Sequence, residues 1–436
     1  MAETRVHGEN PEMSVRAYLR LVLLGALIGI PAALLAALFL AFVHELEHWL
    51  WDVLPHALGA SSPPWYLVIG LPVVGAALVA AARALLPGDG GHEPLKGIGG
   101  GPTPIEYAPG IALAAVGTLA FGAVLGPEAP LIALGSVVGV AVTRMVKLGP
   151  PGSAVLGTAG SFSAISALFG GPLVAGMLLL ESGLAMGAAL LPTLLPGLVA
   201  AAIGYVLFVG LGAWGGLNAT AIAVPGLPAY DGTHVLDLAV AVVIGVVTAL
   251  VIAVVRRAAG GLTGLGRGHR HGRRGMAMLL LAGGLAVGLL AQAARALGGN
   301  SQDVLFSGQV SVPAIVAEKS VAVVLVVLGA KALAYAVSLG CGFRGGPVFP
   351  AIFLGVAVAT LATIGFGVSP TLAVAVGAAA GMAAGTRLLF SSVLLAALLV
   401  GRQGVDAVPA AVLAAAAAWI TVAALDRRTP RADDAS

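Results

Sequence analysis

The chain is 436 residues long, 59% hydrophobic and 9% charged, with a formal net charge of +3. An ordinary soluble domain is about 25% charged, and no aqueous fold can cover the apolar surface that here runs from Leu21 to Leu425. The composition therefore excludes a soluble globular protein and predicts a multi-pass integral protein of a cell membrane.

Residues 1–20 hold three arginines and three glutamates and lack a small-residue cleavage site behind a short apolar core, so we interpret them as a cytosolic lead-in to a retained helix. Residues 21–425 form the transmembrane domain, and residues 426–436 form a cytosolic tail. Basic residues concentrate in residues 256–274 and in the tail. Because short loops rich in Lys and Arg stay cytoplasmic, both termini are predicted inside, and the mild basic charge does not indicate a nucleic-acid partner.

Seven apolar stretches of about 20 residues suit a hydrocarbon core about 30 Å thick. They are Leu21–Phe42, Tyr66–Leu86, Leu190–Leu211, Val235–Val255, Met276–Leu297, Val321–Leu339 and Val408–Leu425. Glycine and proline interrupt five other segments, which are Gly97–Gly110, Gly126–Gly135, Gly157–Gly183, Gly340–Gly355 and Ser369–Arg387. Broken helices occur at membrane depth only inside protein or around a cavity, so this pattern predicts a channel or transporter whose half-helices meet internally. Close helix packing explains part of the glycine content.

Glu128 lies inside an apolar run between two prolines, and an ionisable group at that depth indicates a functional site. Gly126 is expected to end the preceding helix, and Pro130 suits the first turn of the next one. The carboxylate should then lie near a helix N-terminus, which attracts anions and the glutamate's own carboxylate alike. Such a side chain competes with a permeant anion and forms a gate that protonation releases. The alternative is a glutamate that only caps a helix.

Four motifs, in order, carry a family resemblance: GIGGGPTP (Gly97–Pro104), GPEAP (Gly126–Pro130), TAGSFSAISALFGGPLVAGMLLLES (Thr158–Ser182) and GFRGGPVFPAIFLG (Gly342–Gly355). Together they resemble the CLC family of chloride channels and chloride/proton antiporters over nearly the whole chain. The resemblance implies an all-α fold of two inverted halves with broken re-entrant helices. It also implies a homodimer with one pore per subunit, chloride or another small anion as substrate, protons as a further partner, and no cofactor.

The same resemblance assigns site residues. Gating and proton transfer fall on Glu128 and Glu181. Anion binding falls on Gly99, Gly100, Gly101, Gly126, Ala129, Gly346, Val348 and Phe349.

Several positions depart from the family pattern. A glycine among Gly99–Gly101 replaces the central serine, Pro347 has no N–H to offer, and no tyrosine follows Tyr335 to face the pore. Ser182 stands where antiporters carry the inner proton-relay glutamate, so Glu181 is the only substitute relay, unless it is simply a solvated or salt-bridged helix end. These departures predict weakly coupled or uncoupled anion conduction, with proton-coupled exchange as the alternative.

An enzyme-class alternative comes from the H-E-x-x-H pattern of His44, Glu45 and His48, which is typical of zinc hydrolases. No third-ligand motif follows in an apolar context, and neighbouring tryptophans suggest a membrane interface. We therefore expect no metal site and no enzyme, and keep an intramembrane zinc metalloprotease as the rival. The membrane-embedded Lys331 and Arg387 are expected to snorkel or to pair with an acid. The single cysteine, Cys341, excludes an intrachain disulfide.

Overall fold

A computed structural model describes residues 14–184, 187, 190–215, 222–268 and 272–427. Most of the predicted N-terminal lead-in, the centre of the basic loop at residues 269–271, and the tail beyond Arg427 lie outside the described residues. Within the described part, nine stretches are long and apolar enough to cross a membrane. The chain is therefore a polytopic membrane protein.

Helices make up nearly all of the described chain, and its one β-bridge joins Gly126 to Gly346. A turn of π-helix at Trp49–Val53 connects the first two helices. The α-helices are α1 Val15–His48, α2 Leu54–Ala57, α3 Trp65–Leu85, α4 Ala108–Leu119, α5 Glu128–Met145, α6 Pro150–Leu168, α7 Pro172–Ser182, α8 Leu191–Gly215, α9 Val235–Gly268, α10 Gly272–Ala296, α11 Ser301–Val304, α12 Val312–Ala317, α13 Val321–Gly340, α14 Val348–Phe366, α15 Pro370–Thr386, α16 Leu389–Val400 and α17 Val408–Arg427.

Two sets of helices pack in the same way. Helix α5 packs on α6 as α14 packs on α15, α6 packs on α8 as α15 packs on α17, and α1 packs on α8 as α9 packs on α17. Helices α3 and α10 pack against each other. The matching pentapeptides GPEAP and GPVFP stand at the start of α5 and α14. This is the predicted all-α fold of two inverted halves.

Some predicted boundaries are wrong. Ser369–Arg387 was expected to be broken, but its residues form the continuous helix α15. Its glycines serve close packing instead, since a Cβ at Gly377 would lie 2.5 Å from the carbonyl oxygen of Gly355 on α14. The segment Gly157–Gly183 breaks only once, between α6 and α7. Helix α16 was not among the predicted spans, because its 12 residues are too few for one.

The two membrane-embedded basic residues differ. Arg387 forms an ion pair with Asp426, as predicted. The Cζ atom of Arg387 also lies 5.8 Å from the centroid of the Trp419 ring. The expectation for Lys331 is wrong, because its fully buried Nζ donates instead to the backbone carbonyls of residues 303–306, at 2.8 to 3.3 Å. The last carbonyls of the short helix α11 have no intrahelical partner, and the lysine satisfies them.

Candidate functional site

The loops that lead into α5 and α14 are joined at the centre of the fold. The N–H of Gly126 donates to the oxygen of Gly346 at 2.8 Å, and the N–H of Gly346 donates to the oxygen of Gly126 at 2.6 Å. The N-termini of α5 and α14, which belong to opposite halves of the chain, therefore lie side by side. The expectation that Gly126 ends the preceding helix is wrong, since α4 stops at Leu119 and the intervening residues form the turn that reaches this bridge.

Glu128 is the first residue of α5 and is fully buried. Its Oε1 accepts the backbone N–H of Phe349 at 3.1 Å. Phe349 lies in the first turn of α14, where N–H groups lack intrahelical partners and the helix dipole is positive. The other carboxyl oxygen, Oε2, has no hydrogen-bond partner among the described residues. The side chain of one half thus occupies the anion-attracting end of a helix from the other half.

The two bridging glycines leave room for this carboxyl group. A Cβ at Gly346 would lie 1.5 Å from Oε2 of Glu128, and a Cβ at Gly126 would lie 2.3 Å from the same atom. Real Cβ contacts are not so short, so any larger residue at either position would displace the glutamate. Both glycines are therefore required by the buried position of Glu128.

Hydroxyl groups of the opposite half hold each loop. Ser338 on α13 accepts the N–H of Val124 at 3.0 Å, and Thr118 on α4 accepts the N–H of Arg344 at 3.3 Å. Each pair joins a residue two positions before a bridging glycine to a helix of the other half. This pseudo-symmetric pairing holds both loops that lead to the bridge between Gly126 and Gly346.

Tyr335 is a site residue that the sequence interpretation missed, because it looked for a pore-facing tyrosine only beyond this position. The hydroxyl of Tyr335 donates to the carbonyl oxygen of Pro347 at 2.9 Å, and the side chain is 2% exposed. Pro347 is the N-cap residue of α14. The one indication in the sequence was a tyrosine inside an apolar span, because a buried tyrosine hydroxyl needs a hydrogen-bond partner.

Apolar side chains close the site. The rings of Phe349 and Phe169 stack with their centroids 5.7 Å apart. Ala129 and Val348 are buried in the first turns of α5 and α14. The structure thus brings together six of the predicted site residues, namely Gly126, Glu128, Ala129, Gly346, Val348 and Phe349. The carboxyl group of Glu128 is therefore shielded from bulk water.

Gly99, Gly100 and Gly101 lie apart from this group. The oxygen of Gly101 accepts the hydroxyl of Ser136 at 3.1 Å, on α5 well beyond Glu128. No α-helix begins at this turn, which is flanked only by short 3-10 turns. Of the three glycines, Gly101 thus contacts the side of α5, whereas Gly99 lies against His92.

Glu181 caps a helix. Its Oε1 accepts the N–H groups of Leu389 and Phe390 at 3.0 and 2.9 Å, and Oε2 accepts the N–H and hydroxyl of Ser391 at 2.7 and 2.5 Å. The carboxylate at the end of α7 thus satisfies the free donors at the start of α16. Its neighbour Ser182 donates to the oxygen of Leu179 at 3.2 Å.

The H-E-x-x-H residues lie at the end of α1. His48 contacts Asp52 through Nδ1 at 3.2 Å, and both side chains are largely exposed. Within the described ranges, no group of three or more His, Cys, Asp or Glu side chains is arranged to hold a metal ion.

The fold and this centre define a polytopic transport protein in which two half-helices meet at a buried carboxylate. The model of the voltage-gated chloride channel family matches residues 92–422, and the chain belongs to that family. It is therefore a CLC-type anion transport protein.

Relatives of similar length support the assignment. The chain is 28% identical over 359 residues to the ion-transport protein YfeO of Escherichia coli strain 55989, and 29% identical to YfeO of strain O1:K1, covering 79% of each chain. Among solved structures, a slow cyanobacterial Cl⁻/H⁺ antiporter shares 15% identity at a TM-score of 0.78, covering 94% of this chain and 95% of the antiporter. A CLC-type fluoride/proton antiporter shares 18% identity at a TM-score of 0.72, covering 94% and 96%.

Proposed function

We propose that this chain conducts a small inorganic anion, chloride in the first instance, through a pathway that Glu128 closes. The observation that carries the proposal is the buried carboxylate on the N–H of Phe349. A dehydrated anion would be attracted to the same donor and the same helix dipole. Carboxylate and anion therefore compete, and protonation of Glu128 frees the position.

The anion site proposed at this centre comprises the first turns of α5 and α14. Gly126, Ala129, Gly346, Val348 and Phe349 contribute backbone groups and apolar walls. Gly99, Gly100 and Gly101 remain a proposal for a more remote part of the pathway, since the described contact of Gly101 is with Ser136, well beyond Glu128 on α5.

Conduction in this proposal is weakly coupled or uncoupled to protons. A relay must bind and release protons, and Ser182 does not titrate near neutral pH. Glu181 accepts four hydrogen bonds at the start of α16. Protonating it would weaken that cap, which disfavours a relay role.

A second candidate is proton-coupled exchange. It is favoured by the structural likeness to two antiporters, one described as exchanging chloride and the other fluoride for protons. In this candidate Glu181 is the inner proton relay and fluoride is a second anion to be tested.

The assembly in this proposal is a homodimer with one pore per subunit, in a cell membrane and with both termini in the cytoplasm. Large apolar side chains are exposed on α8 and α16, among them Leu191 and Phe390. Such faces need either lipid or a second subunit against them.

The test is flux from liposomes containing the purified protein, with anion and proton movements recorded together from about pH 4 to about pH 8, a range that spans ordinary carboxyl pKa values. Glu128→Gln should raise anion flux and remove its pH dependence, because a neutral amide competes less well for the helix N-terminus. Glu106→Gln, at an exposed glutamate, is the matched control. An unchanged rate and pH profile in Glu128→Gln would refute the gate.

A further inference from the structure

A cavity of about 200 Å³ lies beside the loop that leads into α14. Arg83, Arg344, Cys341 and Gly342 line it, together with Glu93 and several apolar residues. The end of α3 and the start of α10 complete it. This cavity is separate from the bridge at Gly126 and Gly346, yet Arg344 precedes that bridge by only two residues.

Both arginines are held in place by Asp89. Arg83 donates from Nε and Nη2 to the Asp89 carboxylate at 2.8 and 3.0 Å, and from Nη1 to the oxygen of Gly342 at 2.9 Å. Arg344 donates from Nε to the backbone oxygen of Asp89 at 2.9 Å and from Nη2 to its carboxylate. One exposed acid therefore positions two arginines, and Arg344 is only 3% exposed.

The charges around the cavity do not cancel. Arg83, Arg344 and Lys96 are cationic, whereas Asp89 and Glu93 are anionic, and Lys96 already pairs with Glu93 at 3.0 Å. His92 adds no charge near neutral pH, because burial and the charge of Arg344 lower its pKa. Among the described residues this leaves one positive charge in excess at the cavity, which favours an anion there.

We propose that this cavity is a second anion site, in which a small inorganic anion rests beside Arg83 and Arg344 before or after it passes the gate. The assignment rests on the proposed function, because the ligand is the permeant anion itself. The two guanidinium groups offer charge-assisted hydrogen bonds, which bind anions without the buried backbone donors used at Phe349. Asp89 is then a positioning residue that keeps the arginines at the wall.

Cys341 provides a probe of the cavity that does not depend on transport, because it is the only cysteine in the chain and lies in the cavity wall. Burial raises the pKa of its thiol to about 11, so the reactions are compared at one mildly alkaline pH. We expect an anionic methanethiosulfonate reagent to modify Cys341 faster than a cationic reagent of similar size. Replacing gluconate by chloride should slow the anionic reaction. Cys341→Ala gives the background.

Arg344→Gln should abolish the preference for the anionic reagent and the protection by chloride, whereas Arg344→Lys should retain part of both. Arg295→Gln is the matched control, because this arginine also donates to a backbone carbonyl but lies at the opposite end of α10. Wild-type protein that reacts equally with both reagents, or that chloride does not protect, would overturn the proposal.

The second measurement is the dependence of anion flux on chloride concentration. It tests the second anion site even if the thiol of Cys341 reacts with neither reagent. The half-saturating chloride concentration should rise about tenfold in Arg344→Gln and Arg83→Gln, the loss expected for one charge-assisted hydrogen bond. Unchanged half-saturation in both variants would overturn the second site. Chloride protection of Cys341 in a wild-type protein that conducts no anion would refute the proposed function and leave the site standing.

Discussion

The carboxylate of Glu128, which begins α5, caps the N-terminus of α14 by accepting the N–H of Phe349. The acid comes from the first half of the chain and the donor from the second. The proposed gate is therefore an interaction between the halves, and changes in either half should alter it.

A larger residue at position 346 should open the proposed gate although Glu128 itself is not substituted. In Gly346→Ala the new Cβ would overlap Oε2 of Glu128, so the carboxyl group must leave its position. We expect anion flux to rise and lose much of its pH dependence, as in Glu128→Gln. Gly365→Ala is the matched control, because this glycine also lies on α14 and a Cβ there meets nothing within 4 Å. Flux that stays at the wild-type level in a folded Gly346→Ala protein would argue against steric displacement.

Tyr335→Phe should destabilise the site by leaving the buried carbonyl of Pro347 without its donor. An unsatisfied buried polar group costs about 1 to 3 kcal/mol. Thermal unfolding in detergent should therefore begin at a lower temperature than in wild type, while Tyr66→Phe, at a half-exposed tyrosine, should change little. Equal stability of the two variants would mean that the hydrogen bond contributes nothing.

Glu181→Gln separates a cap from a proton relay. Loss of the charge at the start of α16 should lower stability by about 1 kcal/mol, while proton flux in liposomes stays as in wild type. Glu318→Gln is a suitable control, because Glu318 accepts the N–H groups of Lys319 and Ser320 at the start of α13. If an anion gradient drives uphill proton movement that only Glu181→Gln abolishes, Glu181 is the relay and conduction is coupled.

Hydropathy and Gly-Pro punctuation were sufficient to predict a membrane fold with interrupted helices, because both report on local structure. The inverted halves were implied by the resemblance to the CLC family, and Glu128 lies at the helix N-terminus where it was expected. The sequence was insufficient for the contacts between the halves. Nothing in the local sequence of Ser338 or Thr118 indicates that each holds a loop of the other half. Glycines were also ambiguous, since Gly377 packs two helices closely whereas Gly346 makes room for a side chain.

Acid should weaken the ion pairs that Asp89 makes with Arg83 and Arg344. Burial alone would raise the pKa of Asp89, but its hydrogen bonds and proximity to Arg83 and Arg344 outweigh this effect and place the pKa below its ordinary value. A lowered folded-state pKa gives stability that is present above the unfolded value of about 3.9 and is lost as pH falls through the folded value.

Stability of the wild type should thus decline below about pH 4, a range set by the ordinary aspartate pKa. The contribution of Asp89 to this decline should be missing from Asp89→Asn, which should be less stable already at neutral pH. Unfolding temperatures measured across this range provide the check. Parallel curves for the two proteins would contradict a stabilising role for the ionised carboxylate.

The double variant His44→Ala/His48→Ala should transport anions at the wild-type rate. The pair lies at the largely exposed end of α1, and His48 contacts Asp52. Elemental analysis of the purified protein is the companion measurement. Stoichiometric zinc in wild type that disappears in the variant would revive the metalloprotease alternative.

The exchange of hydroxyl partners between Thr118 and Ser338 has a consequence for biosynthesis. Each half lacks the hydroxyl group that holds its own loop. A nascent chain that has been made only as far as α8 contains Glu128. It lacks both the start of α14, which Glu128 contacts, and Ser338, which holds Val124. The transport centre is completed only after α13 and α14 have entered the membrane. A first half made without the second therefore has neither the hydroxyl that holds its loop at Val124 nor the backbone donor that Glu128 contacts.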